Sequence, residues 1–337
     1  MGLGTLTILT ENAENLSRKL GFPLRVKAVC SRTAKTKALP GGVPVVTEDW
    51  RDVVQDPEIQ IVAELVGGTG VAREIVESAI AAGKHVVTAN KELIALDGVA
   101  IWRAAQARGV TLAMEASVCG GIPIHAVLRE GIAGDRVEAL FGILNGTSNF
   151  ILTEIERHGR PFADVLSEAQ RLGYAEADPT ADIEGFDARS KLVLLASLAF
   201  GVQVAPPDVA TEGISRISPV DFQYAAQLGC TIKLLCSASR EDDGLFLSVR
   251  PALIGKETII ASVNGAYNAV WARGKFGSDT FYYGRGAGPL PTGVAVVSDL
   301  MRLAREVQAG SAERVSPFGH TQVEPRRPLP EGLQRRP

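Results

Sequence analysis

The chain has little of what marks a membrane, secreted or nucleic-acid-binding protein. Its longest largely apolar run, Leu192 to Phe200, ends after nine residues, far short of the ~20 a helix needs to cross a bilayer. The first ten residues, MGLGTLTILT, lack a basic stretch and a small-residue cleavage pattern, so no signal peptide is expected. Cysteine is scarce: Cys30, Cys119, Cys230 and Cys236 form no CxxC pair and no metal-ligand spacing. That suits reduced thiols in the cytoplasm better than a disulfide framework and argues against structural zinc. Charge of one sign is also missing. Lysine and arginine total 35 against 38 acids, a net charge of −3, so nothing electrostatic favours nucleic acid or an anionic membrane surface as partner. The four histidines are scattered, without a nucleophile partner or metal spacing.

What is present is a globular composition, 46% hydrophobic over 337 residues, enough for roughly two domains of ~150 residues. Up to about residue 115, helical and strand patterns alternate. A helix is expected near Asn12 to Leu20, a strand at Leu24 to Val29, and a helix at Glu48 to Val54. A strand at Ile59 to Val66, a helix at Ala72 to Ala82, and strands at His85 to Thr88 and near Thr111 to Met114 follow. Such alternation implies crossovers and a mostly parallel sheet, hence α/β. From Val137 the order changes to a strand (Val137 to Leu144), bunched helices (Ile151 to Leu172, Ala188 to Phe200, Ser218 to Leu228) and several strands between Thr231 and Tyr283. That pattern predicts an α+β domain with a mainly antiparallel sheet. Pro291 to Glu306 reads as one more helix, and residues 313–337, rich in proline and arginine (Arg326, Arg327, Arg335, Arg336), as a disordered tail.

Chemistry concentrates in residues 173–191, GYAEADPTADIEGFDARSK. Five carboxylates (Glu176, Asp178, Asp182, Glu184, Asp187) fall within twelve residues and are followed by Lys191. Asp187 and Lys191 are four apart, so on a helix they share a face. Acids beside an ammonium can hold a small zwitterion next to a proton-handling lysine. The bland alternative, an exposed helix pair, is worth only ~0.3 to 0.5 kcal/mol, and the neighbouring acids favour function. Asp178-Pro179 reads as the start of a turn and Glu184 as a surface acid; Asp182 stays open between the two roles. Asn145-Gly146-Thr147-Ser148-Asn149 reads equally well as an active-site loop and as a turn followed by a helix N-cap.

Weaker signals point to a dinucleotide. Gly2-Leu3-Gly4-Thr5-Leu6-Thr7 stands ahead of the expected helix, and a glycine-rich turn there lets backbone amides approach a pyrophosphate. Gly2, Gly4, Thr5 and Leu6 are the candidates. The fingerprint is incomplete, because Thr7 stands where the third glycine belongs and no strand precedes the turn. In Cys30-Ser31-Arg32-Thr33-Ala34-Lys35, Arg32 sits where NAD enzymes usually carry an acid. It suits the 2′-phosphate of NADP or is a solvated loop charge, and NAD stays as the other option. Gly67-Gly68 and Thr88-Ala89-Asn90-Lys91 each close a strand at the edge where such sheets bind ligands.

Taken together, ENAENL, ELVGG, GKHVVTANKELIA, EASVCGGIPI, REGIAG, GILNGTSNFILT, LGYAEADPTADIEGFDARSK and GRGAGPLPT occur in the order seen in homoserine dehydrogenases, over roughly residues 2 to 310. The chain resembles that family. The resemblance implies reduction of L-aspartate 4-semialdehyde to L-homoserine with NADPH or NADH, on the route to threonine and methionine. It implies a Rossmann-type doubly wound sheet with its first strand missing over 1–118, and a dimerisation and substrate domain over 119–290. A helix over 291–312 would return to the nucleotide domain. Lys191 matches the family's proton-donating lysine, Glu176 and Asp187 match acids that hold substrate, and Lys91 matches a lysine between cofactor and substrate. Glu115, Val118, Gly120 and Ile122 fall where the family binds a monovalent cation, commonly sodium. Gly286 falls where the chain returns to the nicotinamide. A homodimer is implied as well.

The chemistry of the residues agrees: aldehyde reduction needs a hydride on carbon and a proton on oxygen, which a lysine with a lowered pKa supplies near neutral pH. Two other readings stand beside this one. A chain without its first strand would leave ladder groups unpaired, at ~1 to 3 kcal/mol for each buried amide, and would be a catalytically impaired or truncated homologue. Another amino-acid-directed NAD(P) dehydrogenase, such as an aspartate dehydrogenase, is the second. With only the short tail where many relatives carry a regulatory ACT domain, threonine feedback through such a domain is not expected.

Overall fold

The computed structural model describes residues 1–33, 36, 38–241, 244–312 and 316–319. Lys35 and nearly all of the arginine-containing tail lie outside them. The chain divides into two compact units, the first built from Met1–Pro123 and Ala287–Ser316, the second on Ile124–Gly286.

The first unit begins with α1 (Gly2–Glu11) and α2 (Ala13–Leu20), then β1 (Ala28–Cys30), β2 (Val45–Thr47), α3 (Trp50–Gln55), β3 (Ile61–Glu64), α4 (Val71–Ala81), β4 (His85–Thr88), α5 (Lys91–Arg108) and β5 (Leu112–Ala113). The second adds α6 (Ile124–Ala126), β6 (Val137–Ile143), α7 (Gly146–His158), α8 (Phe162–Arg171), α9 (Thr180–Ile183), α10 (Phe186–Phe200), β7 (Ala210–Thr211) and α11 (Pro219–Gln227). The long strands β8 (Cys230–Glu241), β9 (Gly244–Gly255), β10 (Tyr267–Gly274) and β11 (Ser278–Arg285) complete it, and α12 (Pro289–Ala309) belongs to the first unit.

The opening differs from the expected glycine turn: Gly2 to Thr7 is helical. Packing is the reason. Gly4 is buried, and a Cβ there would overlap the backbone of Pro289; a Cβ on Gly293 would stand 3.0 Å from Gly4 C and Thr5 N. Two glycines thus let α1 and α12 approach backbone to backbone, and Leu6 joins the core. Behind them Val87 and Ala113 pack on Ala295, Val296, Leu300 and Leu303.

All strand pairs of this unit are parallel, as the α/β alternation predicts, in two ladders, β1-β2 and β3-β4-β5. The middle strand β4 is buried at every residue, as expected when both faces of a parallel sheet are covered. β2 and the 18-residue α5 escape the sequence pattern. In α5 the buried positions Leu93, Ile94, Gly98, Ile101 and Ala105 leave no clean apolar stripe, and Gly98 weakens the local helix signal.

The second unit carries a six-stranded sheet, β11-β10-β6-β8-β9-β7, antiparallel except where β7 runs parallel to β9. Its core gathers Ile143, Ile254, Ile260, Val263 and Ala269. The single helix expected over 151–172 is two. Gly159 adopts a left-handed φ of 61° that closes α7, and Pro161 N-caps α8, a Gly-then-Pro pair that stops one helix and starts the next.

Candidate functional site

In the second unit, Gly185 turns the chain with a left-handed φ of 80° into α10, whose first turns carry Asp187 and Lys191 on one face. Lys191 Nζ donates to Asp187 Oδ2 at 2.7 Å and to the Leu144 carbonyl at 2.8 Å. Both side chains are about nine-tenths buried, at 11% and 10% exposure, which sets the pair apart from a solvent-exposed helix pair.

Asn145 connects this pair to the next acid. Its Oδ1 accepts from Ser148 N and caps α7, while Nδ2 donates to Asp182 Oδ1 at 2.6 Å and to Asp187 Oδ2 at 2.8 Å. The N-cap reading of the Asn145 loop holds, and the same side chain also bonds two of the acids of the 173–191 segment. Asp182 stands at the end of α9; burial first, and then the charge of Asp187, push its pKa above the usual carboxylate value, against the hydrogen bonds of Asn145 and Thr147 and the charge of Lys191. The cluster thus gathers two carboxyl groups around one lysine.

Glu176 is exposed and its carboxylate takes no part in the network. Asp178 Oδ1 accepts from Thr180 N at 3.0 Å, the turn role expected of it. Gly286 lies against Asn268, whose Nδ2 donates to the same Leu144 carbonyl that holds Lys191.

In the first unit the C-terminal ends of β3 and β4 are held by a buried acid that no sequence motif singles out. Glu64, 1% exposed, accepts from Val66 N at 2.7 Å and Gly67 N at 3.0 Å, and its Oε2 accepts from Thr88 Oγ1 at 2.7 Å. Thr88 Oγ1 in turn accepts from Asn90 N, and Asn90 caps α5 through Leu93 N and donates to Gly68 O at 2.7 Å. Thr88 is thus wholly buried and engaged within the loop. Gly67 and Gly68 have positive φ, and a Cβ on either would meet open space. With α4 starting at Val71 and α5 at Lys91, this edge fits a nucleotide: two helix N-termini and a glycine turn at the carboxyl ends of parallel strands. Arg32 is exposed in the turn after β1.

Glu115 is 4% exposed, and its N–H donates to Asp299 Oδ2 at 2.8 Å. Cys119 and Gly120 have φ of 55° and 45°, and Ile122 N closes the turn on Cys119 O at 2.9 Å. Among the described residues no group of three or more His, Cys, Asp or Glu could hold a metal. A cation at Glu115 would rely on that carboxylate plus backbone carbonyls, an all-oxygen set suited to a hard ion. A cleft of about 780 Å³ opens at the opposite, N-terminal edge of the sheet, beside Lys84, His85 and Glu306. Lys84 Nζ there already donates to the Asp56 and Ile59 carbonyls.

The family profile described as homoserine dehydrogenase matches residues 123–301, and that of the homoserine dehydrogenase NAD binding domain matches residues 1–115. The chain is 47% identical to the homoserine dehydrogenase of Pseudomonas aeruginosa over 315 residues, 94% of this chain and 72% of the relative. With that of Corynebacterium glutamicum it shares 40% over 330 residues, 96% and 74%. A crystal structure of a homoserine dehydrogenase from Thiobacillus denitrificans superposes with a TM-score of 0.92 at 51% identity, over 97% of this chain and 77% of that one. A hyperthermophilic archaeal homoserine dehydrogenase in complex with NADPH shares the fold at 23% identity, with a TM-score of 0.77 over 91% and 95%.

Proposed function

This chain belongs to the homoserine dehydrogenase family, nicotinamide-dependent oxidoreductases that interconvert L-aspartate 4-semialdehyde and L-homoserine, and we propose that Lys191 is the proton donor of that reaction. The observation that carries the assignment is the Lys191 ammonium, held between Asp187 and the Leu144 carbonyl and linked through Asn145 to a second, half-buried acid. When bound, the reduced nicotinamide supplies the hydride to the aldehyde carbon. The chain supplies the rest. Lys191 gives a proton from Nζ to the carbonyl oxygen as the alcohol forms, and in the oxidative direction the neutral amine takes it back. Asp187 and Leu144 O keep Nζ aimed.

Asp182 and Asp187 meet the substrate ammonium, with Glu176 at the exposed edge. The cofactor is NADP, with Arg32 at the 2′-phosphate, the Gly67 and Thr88 loops along the nucleotide, and amides at the start of α1 near the pyrophosphate. Gly2 is the best placed of the opening residues, because Gly4 and Leu6 serve helix packing. A monovalent cation, sodium by preference, takes Glu115 and the carbonyls of Val118, Gly120 and Ile122. We place the enzyme in the cytoplasm as a homodimer; no helix among the described residues is long and apolar enough to cross a membrane.

The test is Lys191→Met. Turnover of L-homoserine should fall by about 10²- to 10⁴-fold, the range for a lost general acid or base, in a chain that still folds and keeps dinucleotide affinity near wild type. Turnover of L-aspartate above that of L-homoserine in the wild type would refute the substrate assignment.

A further inference from the structure

The Leu144 carbonyl is the meeting point of two side chains from separate elements. Lys191 Nζ donates to it at 2.8 Å from α10, and Asn268 Nδ2 donates to it at 3.0 Å from β10. Leu144 follows the last residue of β6, whose Ile143 pairs with Ala269 of β10. Asn268 therefore continues that ladder by one rung, using a side chain where the backbone pairing has ended. Asn268 has no solvent exposure at all. Above it sits Gly286, just beyond β11; the strand pairs Arg285 with Tyr267 and Gly284 with Asn268. A Cβ on Gly286 would overlap the amide carbon, nitrogen and oxygen of Asn268. The φ of Gly286 is not in the left-handed region, so a close approach, not a special backbone conformation, is what calls for glycine there.

We propose that Asn268 is the positioning residue of the proton donor, fixing the Leu144 carbonyl on which Lys191 is aimed, and that Gly286 is a glycine to make room for the Asn268 amide. The inference rests on the reading of Lys191 given above. A carbonyl at the end of a strand has no partner strand to hold its plane, and an ammonium hydrogen-bonded to it inherits whatever freedom it has. One fixed donor removes that freedom. Because proton transfer needs the donor within hydrogen-bond reach of the reacting oxygen, a loosened Leu144 carbonyl lowers turnover and leaves the acids that hold the substrate in place.

The experiment is a double-mutant cycle on the full chain with L-homoserine and NADP, using Asn268→Ala, Gly286→Ala and the double variant, alongside Lys191→Met. Asn268→Ala should lower kcat about fivefold to tenfold, the factor carried by one net hydrogen bond, with the KM for NADP unchanged. Gly286→Ala should lower kcat at least as far by displacing the amide. In the Asn268→Ala background the same Gly286→Ala change should cost nothing further, because the atoms it would strike are gone. Thermal midpoints should follow the same pattern, so a Gly286→Ala chain that folds poorly alone and recovers in the double variant also supports the inference. The proposal is overturned if Asn268→Ala keeps wild-type kcat while Lys191→Met is inactive. It is overturned equally if Gly286→Ala raises the KM for NADP by the same factor in both backgrounds, which would assign Gly286 to the cofactor directly. If Lys191→Met retains wild-type turnover, the proton-donor reading falls and this inference with it.

Discussion

In the second unit most of the site's charged groups are partly or largely buried and bonded to one another: Asp182, Asn145, Asp187 and Lys191 form one continuous network, with Glu176 outside it. In the first unit the ligand edge is made of backbone, the Val66 to Gly68 turn and the start of α5, held from behind by the buried Glu64 and Thr88. The supporting sheets differ in the same sense. β8 and β9 pair over twelve residues, whereas β1 and β2 pair over three, none of them buried in β1. A substrate that is a small zwitterion asks for fixed charges in a dry place, since desolvated pairs interact more strongly than solvated ones. A dinucleotide asks for amides and helix ends along an open edge. The contrast teaches that side-chain substitutions should act mainly on turnover and substrate affinity in one unit and on nucleotide affinity and local stability in the other.

After the loss of Lys191 itself, the largest effect should come from Asp187→Asn. It leaves Lys191 without its buried carboxylate, and kcat/KM for L-homoserine should fall about a hundredfold, equivalent to roughly 3 kcal/mol, with the KM for nucleotide unmoved. A nucleotide KM that rose in step would erase the division between the units. Steady-state kinetics in both substrates decide this.

Next is Asp182→Asn, which should raise the KM for L-homoserine about tenfold through the loss of one charge-assisted hydrogen bond. Burial and Asp187 raise the pKa of Asp182 in the folded protein. Between the ordinary carboxylate value and that raised value the folded chain therefore binds more protons than the unfolded one, so this group's contribution to stability is lost as pH rises through the window. Asp182→Asn should remove that loss, and calorimetry at neutral pH should show a thermal midpoint no lower than wild type. In the wild type the KM for L-homoserine should climb as pH falls through the same window, because the protonated acid no longer attracts the substrate ammonium. A KM flat across it would take Asp182 out of the substrate site.

In the first unit, Glu64→Ala should cost about 2 kcal/mol, since it strips the acceptor from two backbone amides and a buried hydroxyl, and should raise the nucleotide KM more than the substrate KM. Denaturant titration and kinetics together test it. The smallest effect needs no mutation. Amide hydrogen exchange should be faster for the Val45 and Val46 amides of β2 than for the central residues of β8, reflecting short, half-exposed pairing against a long buried ladder. Equal protection would mean that the two sheets are equally robust.

Much of this was legible in the sequence, because the strongest signals were local. Asp187 and Lys191 share a helix and four-residue spacing, so periodicity alone paired them. The α/β alternation and the later crowding of strands likewise follow from patterns within a few residues. What stayed hidden depends on contacts between distant positions. Asn145 reaches acids 37 and 42 residues ahead, and Glu64 meets Thr88 across 24. The Leu144 carbonyl is backbone, which no residue type advertises. The expected turn at Gly4 failed for a physical reason: glycine serves tight turns and close helix packing alike, and only the position of Pro289 distinguishes the two.

Whether Lys191 moves the proton is read from kcat measured against pH in both directions, for the wild type and for Lys191→Met. Reduction of the aldehyde needs the ammonium and oxidation of L-homoserine needs the neutral amine. The wild type should therefore show opposite limbs, reduction falling and oxidation rising as pH increases, and the variant's residual turnover should lack both. Limbs that persist in a folded Lys191→Met protein would contradict the account.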